Sequence, residues 1–182
     1  MTELKLRLES LDLSKDRTPK EVNEEVAKVL EEFGYDIALH DYSRPWGGFN
    51  QLANDNADRF VEEFFPGLTP EEARLGNPSS ELSPKILTVA PNQRLSWQYH
   101  DRRAERWAYI NDGGYHKSIT DDQGELQLAH PGEVVQFEKS ERHRLVGAMG
   151  HYTLVAEIWQ HTEPNNLSNE DDITRLADDY KR

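Results

Sequence analysis

From Lys85 to about Gln160 the chain is a series of short β-prone runs, each cut off by turn-forming residues, and this alternation restricts the fold more than any other feature of the sequence. Candidate strands cover residues 85–89, 94–100, 105–111, 115–120, 125–129, 133–137, 143–147 and 152–160. Between them stand Pro91-Asn92, Asp112-Gly113-Gly114, Asp121-Asp122-Gln123-Gly124 and Pro131-Gly132. Such residues favour bends over extended backbone, so many short strands at regular spacing predict a sandwich or a small barrel. The chain reads differently before residue 84. Thr18-Pro19-Lys20-Glu21 is a capping box with Pro at the first helical position. Val22, Val26, Val29, Leu30 and Phe33 then recur at helical spacing, and Gly34 supplies the stop. A second short helix is expected over 56–65, ended by Pro66-Gly67, and Thr69-Pro70-Glu71-Glu72 opens a third. The run Gly76-Asn77-Pro78-Ser79-Ser80 is a loop. At the far end Ser168-Asn169-Glu170-Asp171 is cap-like and precedes Ile173, Leu176 and Tyr180, which predicts a short C-terminal helix.

Charge narrows the function. Lys and Arg number 21 against 34 Asp and Glu, a formal net charge of −13. A duplex nucleic-acid binder needs a basic face to release counterions, and an anionic membrane surface demands the same. Neither partner is expected. The length of 182 residues suits one domain of ordinary size, and four Trp, seven Tyr and six Phe can anchor its core. Cysteine is absent, which excludes disulfides, thiolate metal sites and Cys nucleophiles. Met1-Thr2-Glu3-Leu4-Lys5 has no apolar signal-peptide core, and the longest uncharged stretch, 145–156, is too short and polar to span a bilayer. A cytoplasmic address is the expectation.

One cluster of residues carries chemistry. In the expected strand 94–100, alternation puts Ser96, Gln98 and His100 on one face. Glu105 follows His100 by five residues, across a turn, and can begin the next antiparallel strand beside them. His143 begins a later strand. Taken singly, such residues in a polar chain are mostly surface residues. Together, Gln-x-His-x4-Glu and a distant His supply N and O donors without thiolate, a set suited to one catalytic Zn²⁺, or to Mn²⁺, Fe²⁺ or Ni²⁺.

Three stretches resemble one family. The segment from Pro91 to Trp107 is similar to the Pro-Gly-x-x-Leu-Ser-x-Gln-x-His-x-x-Arg-x-Glu-x-Trp pattern of the type II mannose-6-phosphate isomerases, members of the cupin superfamily. Arg44-Pro45-Trp46-Gly47 resembles the opening of that family's isomerase domain. Glu170-Asp171-Asp172-Ile173-x-Arg175, with Asp179, Tyr180 and Arg182, resembles its ending. The resemblance covers about residues 44 to 182, with no counterpart read for the nucleotidyltransferase domain often fused upstream. It implies a mainly β cupin, a double-stranded β-helix or jelly-roll barrel over 44–182, behind a helical N-terminal extension of residues 1–43. It further implies that Gln98, His100, Glu105 and His143 hold the metal. Departures surround these ligands: Asn92 and Ser140 stand where the family has Gly, Glu138 where it has Pro, and Asp101-Arg102-Arg103 and Arg106 replace histidines.

The window from Lys85 to Arg106 holds five basic residues against two acidic ones, a local surplus that an anionic sugar phosphate would want. Lys85, Arg94, Arg103 and Arg175 are the candidate substrate cations. The alternatives are solvated strand residues and, for Arg175, an ion pair with Asp171 or Asp179 on a helix. Glu157, in a Glu-x-x-Gln run similar to the family's, is the candidate base for aldose–ketose interconversion. It could instead be a buried carboxylate paired with an arginine. His40, His116, His130, His151 and His161 read as loop or surface residues. A metal-dependent isomerase of mannose 6-phosphate and fructose 6-phosphate is the first expectation. A free-sugar isomerase, or a non-catalytic cupin binding a sugar or sugar nucleotide, is the alternative. Exposed strands and family habit imply a homodimer.

Overall fold

The computed structural model describes residues 2–181, so the Met1 and Arg182 of the sequence motifs lie outside the described residues. Four α-helices are present among them: α1 (Glu3–Glu9), α2 (Pro19–Glu32), α3 (Ala57–Phe64) and α4 (Pro70–Ala73). The strands are β1 (Ile37–Asp41), β2 (Gly47–Leu52), β3 (Lys85–Val89), β4 (Trp97–Tyr99), β5 (Arg103–Tyr109) and β6 (Gly113–Ser118). They continue with β7 (Gln127–Ala129), β8 (Val134–Phe137), β9 (Arg142–Gly147), β10 (Thr153–His161) and β11 (Thr174–Ala177). Two antiparallel sheets result, one ordered β1-β2-β3-β10-β5-β8 and the other β11-β4-β9-β6-β7. This is the mainly β cupin architecture that the motifs imply.

Local chemistry sets the helix ends. The Thr18 side chain accepts from the Glu21 amide while the Glu21 carboxylate accepts from the Thr18 amide at 2.8 Å, so α2 starts where the capping box stands. Gly34, at φ 77, takes the left-handed conformation just past its end. The helix expected over 56–65 forms as α3. The third stops after one turn as α4, because Leu75 (φ 52) and Gly76 (φ 75) bend the chain away.

Alternation along the central strands of the larger sheet decides what faces the barrel interior. Along β10, Leu154, Ala156 and Ile158 join Ile86 and Ala108 in a core shared with Leu8, Val26, Leu30, Phe60 and Phe64 of the helices. The opposite face turns Val155 inward with Leu87, Val89, Trp107, Tyr109, Phe137 and Leu145, the core between the two sheets. Both faces of β10 are therefore covered, and all nine of its residues are buried. Residues 43 and 44, the boundary drawn between extension and barrel, lie in the connection between β1 and β2, which pair antiparallel.

The tail differs from expectation. Instead of a C-terminal helix, residues 174–177 form β11, which pairs antiparallel with β4. Ile173, Leu176 and Tyr180 are compatible with a helical period, but the segment is too short for that period to dominate. Strand β4 has β9 on one side and would expose its backbone on the other, so pairing there satisfies more hydrogen bonds than a solvated helical turn could. The strands β1 and β2 and the short helix α1 were not foreseen. The first two lie in polar or Gly-rich sequence, β1 pairing with β2 and β2 with the distant β3.

Candidate metal centre

Three strands from two sheets bring the centre together. Gln98 lies on β4 with His143 of β9 opposite it in register, and His100 follows β4 directly. Glu105 comes from β5 in the other sheet. The ligating atoms of His100, Glu105 and His143 all lie within 4.8 Å of one another, and all three residues are buried. Nε2 of His100 is 3.1 Å from Glu105 Oε1, and Nε2 of His143 is 3.4 Å from Glu105 Oε2. Gln98, 7% exposed, accepts from the Ser96 hydroxyl at 2.5 Å.

Main-chain carbonyls fix both imidazoles. His100 Nδ1 stands 2.5 Å from the Asp172 carbonyl and His143 Nδ1 stands 2.8 Å from that of Glu141. A carbonyl only accepts, so each Nδ1 carries the proton and each Nε2 presents a lone pair towards Glu105. Trp107 and Phe137 pack on the His143 ring at centroid distances of 5.4 and 4.7 Å and hold its orientation. Burial pushes the His100 imidazole below its usual range. Burial works to raise the Glu105 carboxyl, yet the Arg103 guanidinium that donates to it holds it well below that of a free carboxylate. A depressed His100 and an ionised Glu105 suit a divalent ion, which binds neutral imidazole and carboxylate.

Two atoms test the fit. Glu105 Oε2 and His143 Nε2 are buried without a hydrogen-bond partner while facing each other. Unpartnered buried acceptors are costly, and a cation between them removes the cost. One contact opposes it: Arg103, which donates to Glu105 Oε1 at 2.8 Å, also places Nη2 3.2 Å from His100 Nε2. The donor set fits a divalent ion once that guanidinium nitrogen yields its place.

A pocket with a cavity volume of about 100 Å³ opens beside these residues. Lys85, Gln98, Arg103, Glu105, Glu157 and Arg175 of the expected set line it. Their juxtaposition follows from register: Glu157 on β10 lies opposite Lys85 of β3 and Trp107 of β5, and Arg175 on β11 opposite Gln98. Burial and the charge of Glu105 push the Glu157 carboxyl up to about 7, and it accepts from Trp107 Nε1 at 3.0 Å. Its nearest cation is Lys85 at 3.9 Å rather than an arginine. Arg103 stacks on Trp159 at 3.7 Å. Arg175 is exposed and sits on a strand, so the helical ion pairs considered for it do not arise. Arg94 stands apart from the pocket lining, ion-paired with Asp179 and half-exposed. Of the neighbouring cations, Arg102 ties down the tail through Asn166, Leu167 and Asn169. Arg106 donates to Gln160 in a separate groove.

Sequence reading missed the tail's part in the centre. Asp172 accepts from the amides of Asp101 and Arg102 at 3.0 and 3.1 Å and from the Ser168 hydroxyl at 2.6 Å, which sets its carbonyl against His100. Ser168 in turn donates its amide to Nδ1 of His161, a buried residue and not a surface one. The acidic tail motif was the available signal, but a helix was read there.

The profile of the family described as Mannose-6-phosphate isomerase C-terminal matches residues 77–178, more than half of the chain. The chain belongs to that family. No curated protein sequence matches it. Among solved structures it is similar to the capsular polysaccharide assembling protein CapF from Staphylococcus aureus, at 13% identity and a TM-score of 0.50 over 93% of this chain and 40% of that one. A 7S globulin of Momordica charantia gives 11% identity and a TM-score of 0.50, over 76% of this chain and 35% of the other. A Cupin 2 conserved barrel domain protein from Salinispora arenicola gives 14% identity and a TM-score of 0.45, over 69% and 83%. At such identities the likeness to CapF and the globulin speaks for the cupin fold, and this chain spans well under half the length of either. No helix among the described residues is long and apolar enough to cross a membrane.

Proposed function

We propose that this member of the family is a metal-dependent aldose–ketose isomerase acting on a sugar phosphate, with mannose 6-phosphate and fructose 6-phosphate as the first substrates to test. The observation that carries the reading is the pair of buried, unpartnered ligand atoms, Glu105 Oε2 and His143 Nε2, of which Glu105 also lines a pocket together with Lys85, Arg103 and Arg175. Gln98, His100, Glu105 and His143 would hold one divalent ion, Zn²⁺ before Mn²⁺, Fe²⁺ or Ni²⁺. Bound there, the ion would polarise the sugar oxygens at C1 and C2 as a Lewis acid. Glu157 is the residue for moving the proton between these carbons. It faces the same pocket, is 6% exposed, and is oriented by Trp107. Lys85 and Arg175 would receive the phosphate, with Arg103 between phosphate and metal ligands. A soluble cytoplasmic homodimer completes the proposal.

A second reading, a non-catalytic cupin binding a sugar or sugar nucleotide, draws on Arg103, whose contact with His100 Nε2 occupies a lone pair that the metal needs. Metal analysis and a coupled isomerase assay with and without chelator separate the two. The isomerase reading expects near-stoichiometric transition metal, its loss in His100→Ala, and turnover of mannose 6-phosphate that the chelator abolishes. A fully metallated sample that turns over no sugar belongs to the binding class. Equal turnover of mannose and mannose 6-phosphate moves the protein to free-sugar isomerases.

A further inference from the structure

Lys85 begins β3 with its side chain turned into the pocket and only 5% exposed. Its ammonium lies 3.8 Å from the centroid of the Trp159 ring and 3.9 Å from Glu157 Oε2. Its close partner is Glu170, whose Oε1 accepts from it at 2.9 Å. A buried ammonium is tolerated only with an anion beside it, and in the free protein Glu170 supplies that charge at contact distance.

Glu170 stands largely in solvent. Its side chain is 64% exposed although it lines the pocket. The loop that carries it is fastened elsewhere. Arg103 donates to the Ser168 hydroxyl at 2.8 Å and to the Asn169 carbonyl at 3.1 Å, and Asp172 is bound to the amides of Asp101 and Arg102. The Glu170 carboxylate can therefore leave Lys85 for solvent without unfastening the loop. The loss is that of one half-solvated ion pair, a small quantity beside the charge an incoming dianion brings.

We propose that Glu170 is a resident counter-anion at the pocket mouth, which holds Lys85 until the anionic group of the ligand displaces it and so competes with a phosphate for that ammonium. The proposal rests on the sugar-phosphate reading above. An uncharged sugar brings no charge to replace the carboxylate, so it leaves the Lys85–Glu170 pair intact and is indifferent to it. A phosphate takes over the ammonium and would be repelled by Glu170 if the carboxylate remained.

Calorimetric titration of the metal-loaded full chain tests this, with mannose 6-phosphate, inorganic phosphate and mannose as probes of wild type, Glu170→Gln and Glu170→Ala. Melting curves accompany each variant, and the Gln variant keeps the side-chain volume. The expected result is mannose 6-phosphate and inorganic phosphate bound roughly two- to fivefold tighter by both variants, with mannose unchanged. Weaker mannose 6-phosphate binding in the variants would make Glu170 a ligand contact and overturn the proposal. Unchanged binding would make it a bystander and do the same, while the sugar-phosphate reading survives on the wild-type affinity. Failure of wild type and variants alike to bind either phosphate overturns both.

Discussion

At the scale of single residues, the centre depends on Asp172, which is not itself a candidate ligand. Asp172 offers His100 its backbone carbonyl, and its carboxylate anchors that carbonyl by accepting from Asp101, Arg102 and Ser168. Outer partners of this kind fix the tautomer and direction of a ligating imidazole, and removing them typically weakens metal binding about 10- to 100-fold. Asp172→Ala is accordingly expected to lower metal affinity by about that factor in a chelator-competition titration, with the barrel still folded by circular dichroism. An affinity equal to wild type would show that Trp107, Phe137 and the strand ends suffice to hold the ligands. Asn92 and Ser140, which stand where the family has Gly, show the reverse economy. Both adopt the left-handed conformation, at φ 60 and 61, so the turns survive without glycine.

At the scale of elements, the site is a product of register. Glu157, Trp159 and His161 on β10 lie opposite Trp107, Glu105 and Arg103 on β5, so the covered face of one strand delivers the pocket's charges in a row. A slip of one residue would turn them into the helix-facing core. The pairing of β2 with β3 pins the far side, and it admits no side chain at Gly47. A Cβ there would lie 2.0 Å from the Thr88 carbonyl oxygen, on a backbone with φ 140 that other residues rarely adopt. Gly47→Ala should therefore destabilise the fold by at least about 2 kcal/mol, read as a lower urea midpoint with unchanged slope. A midpoint equal to wild type would mean that β2 can shift away from β3 at no cost.

At the scale of the whole molecule, the ligands tie the two sheets to each other, because His100 and His143 come from one and Glu105 from the other. A metal bound only by the folded chain adds about 2.7 kcal/mol at a free concentration 100-fold above its dissociation constant. For a chain of 182 residues, each kcal/mol moves the melting temperature by roughly 2–4 °C. Chelation is thus expected to lower the melting temperature by about 5–10 °C, reversibly on adding metal back. The same scan on His143→Ala should show no shift with chelator. A wild-type melting temperature indifferent to chelator would show that the sheets are held by their apolar core alone.

The sequence by itself determined the β-rich barrel, the start of α2 and the candidate ligands Gln98, His100, Glu105 and His143. These are local matters: turn residues, a capping box, and an alternation that sets Gln98 and His100 on one face. Tertiary structure decided the rest. The tail became a strand because β4 had an open edge, and no periodicity within 168–180 records an edge formed by residues far upstream. Arg94 left the pocket for Asp179, and Arg103 turned to Glu105, choices between counter-ions that composition leaves equal. Asp172 and Glu170 gained their roles from a loop folded across the barrel mouth, where a hydrogen bond or an ion pair spans more than seventy residues of chain. Local backbone preference acts over a few residues, while the site's electrostatics act across space, and only the folded chain brings the two together.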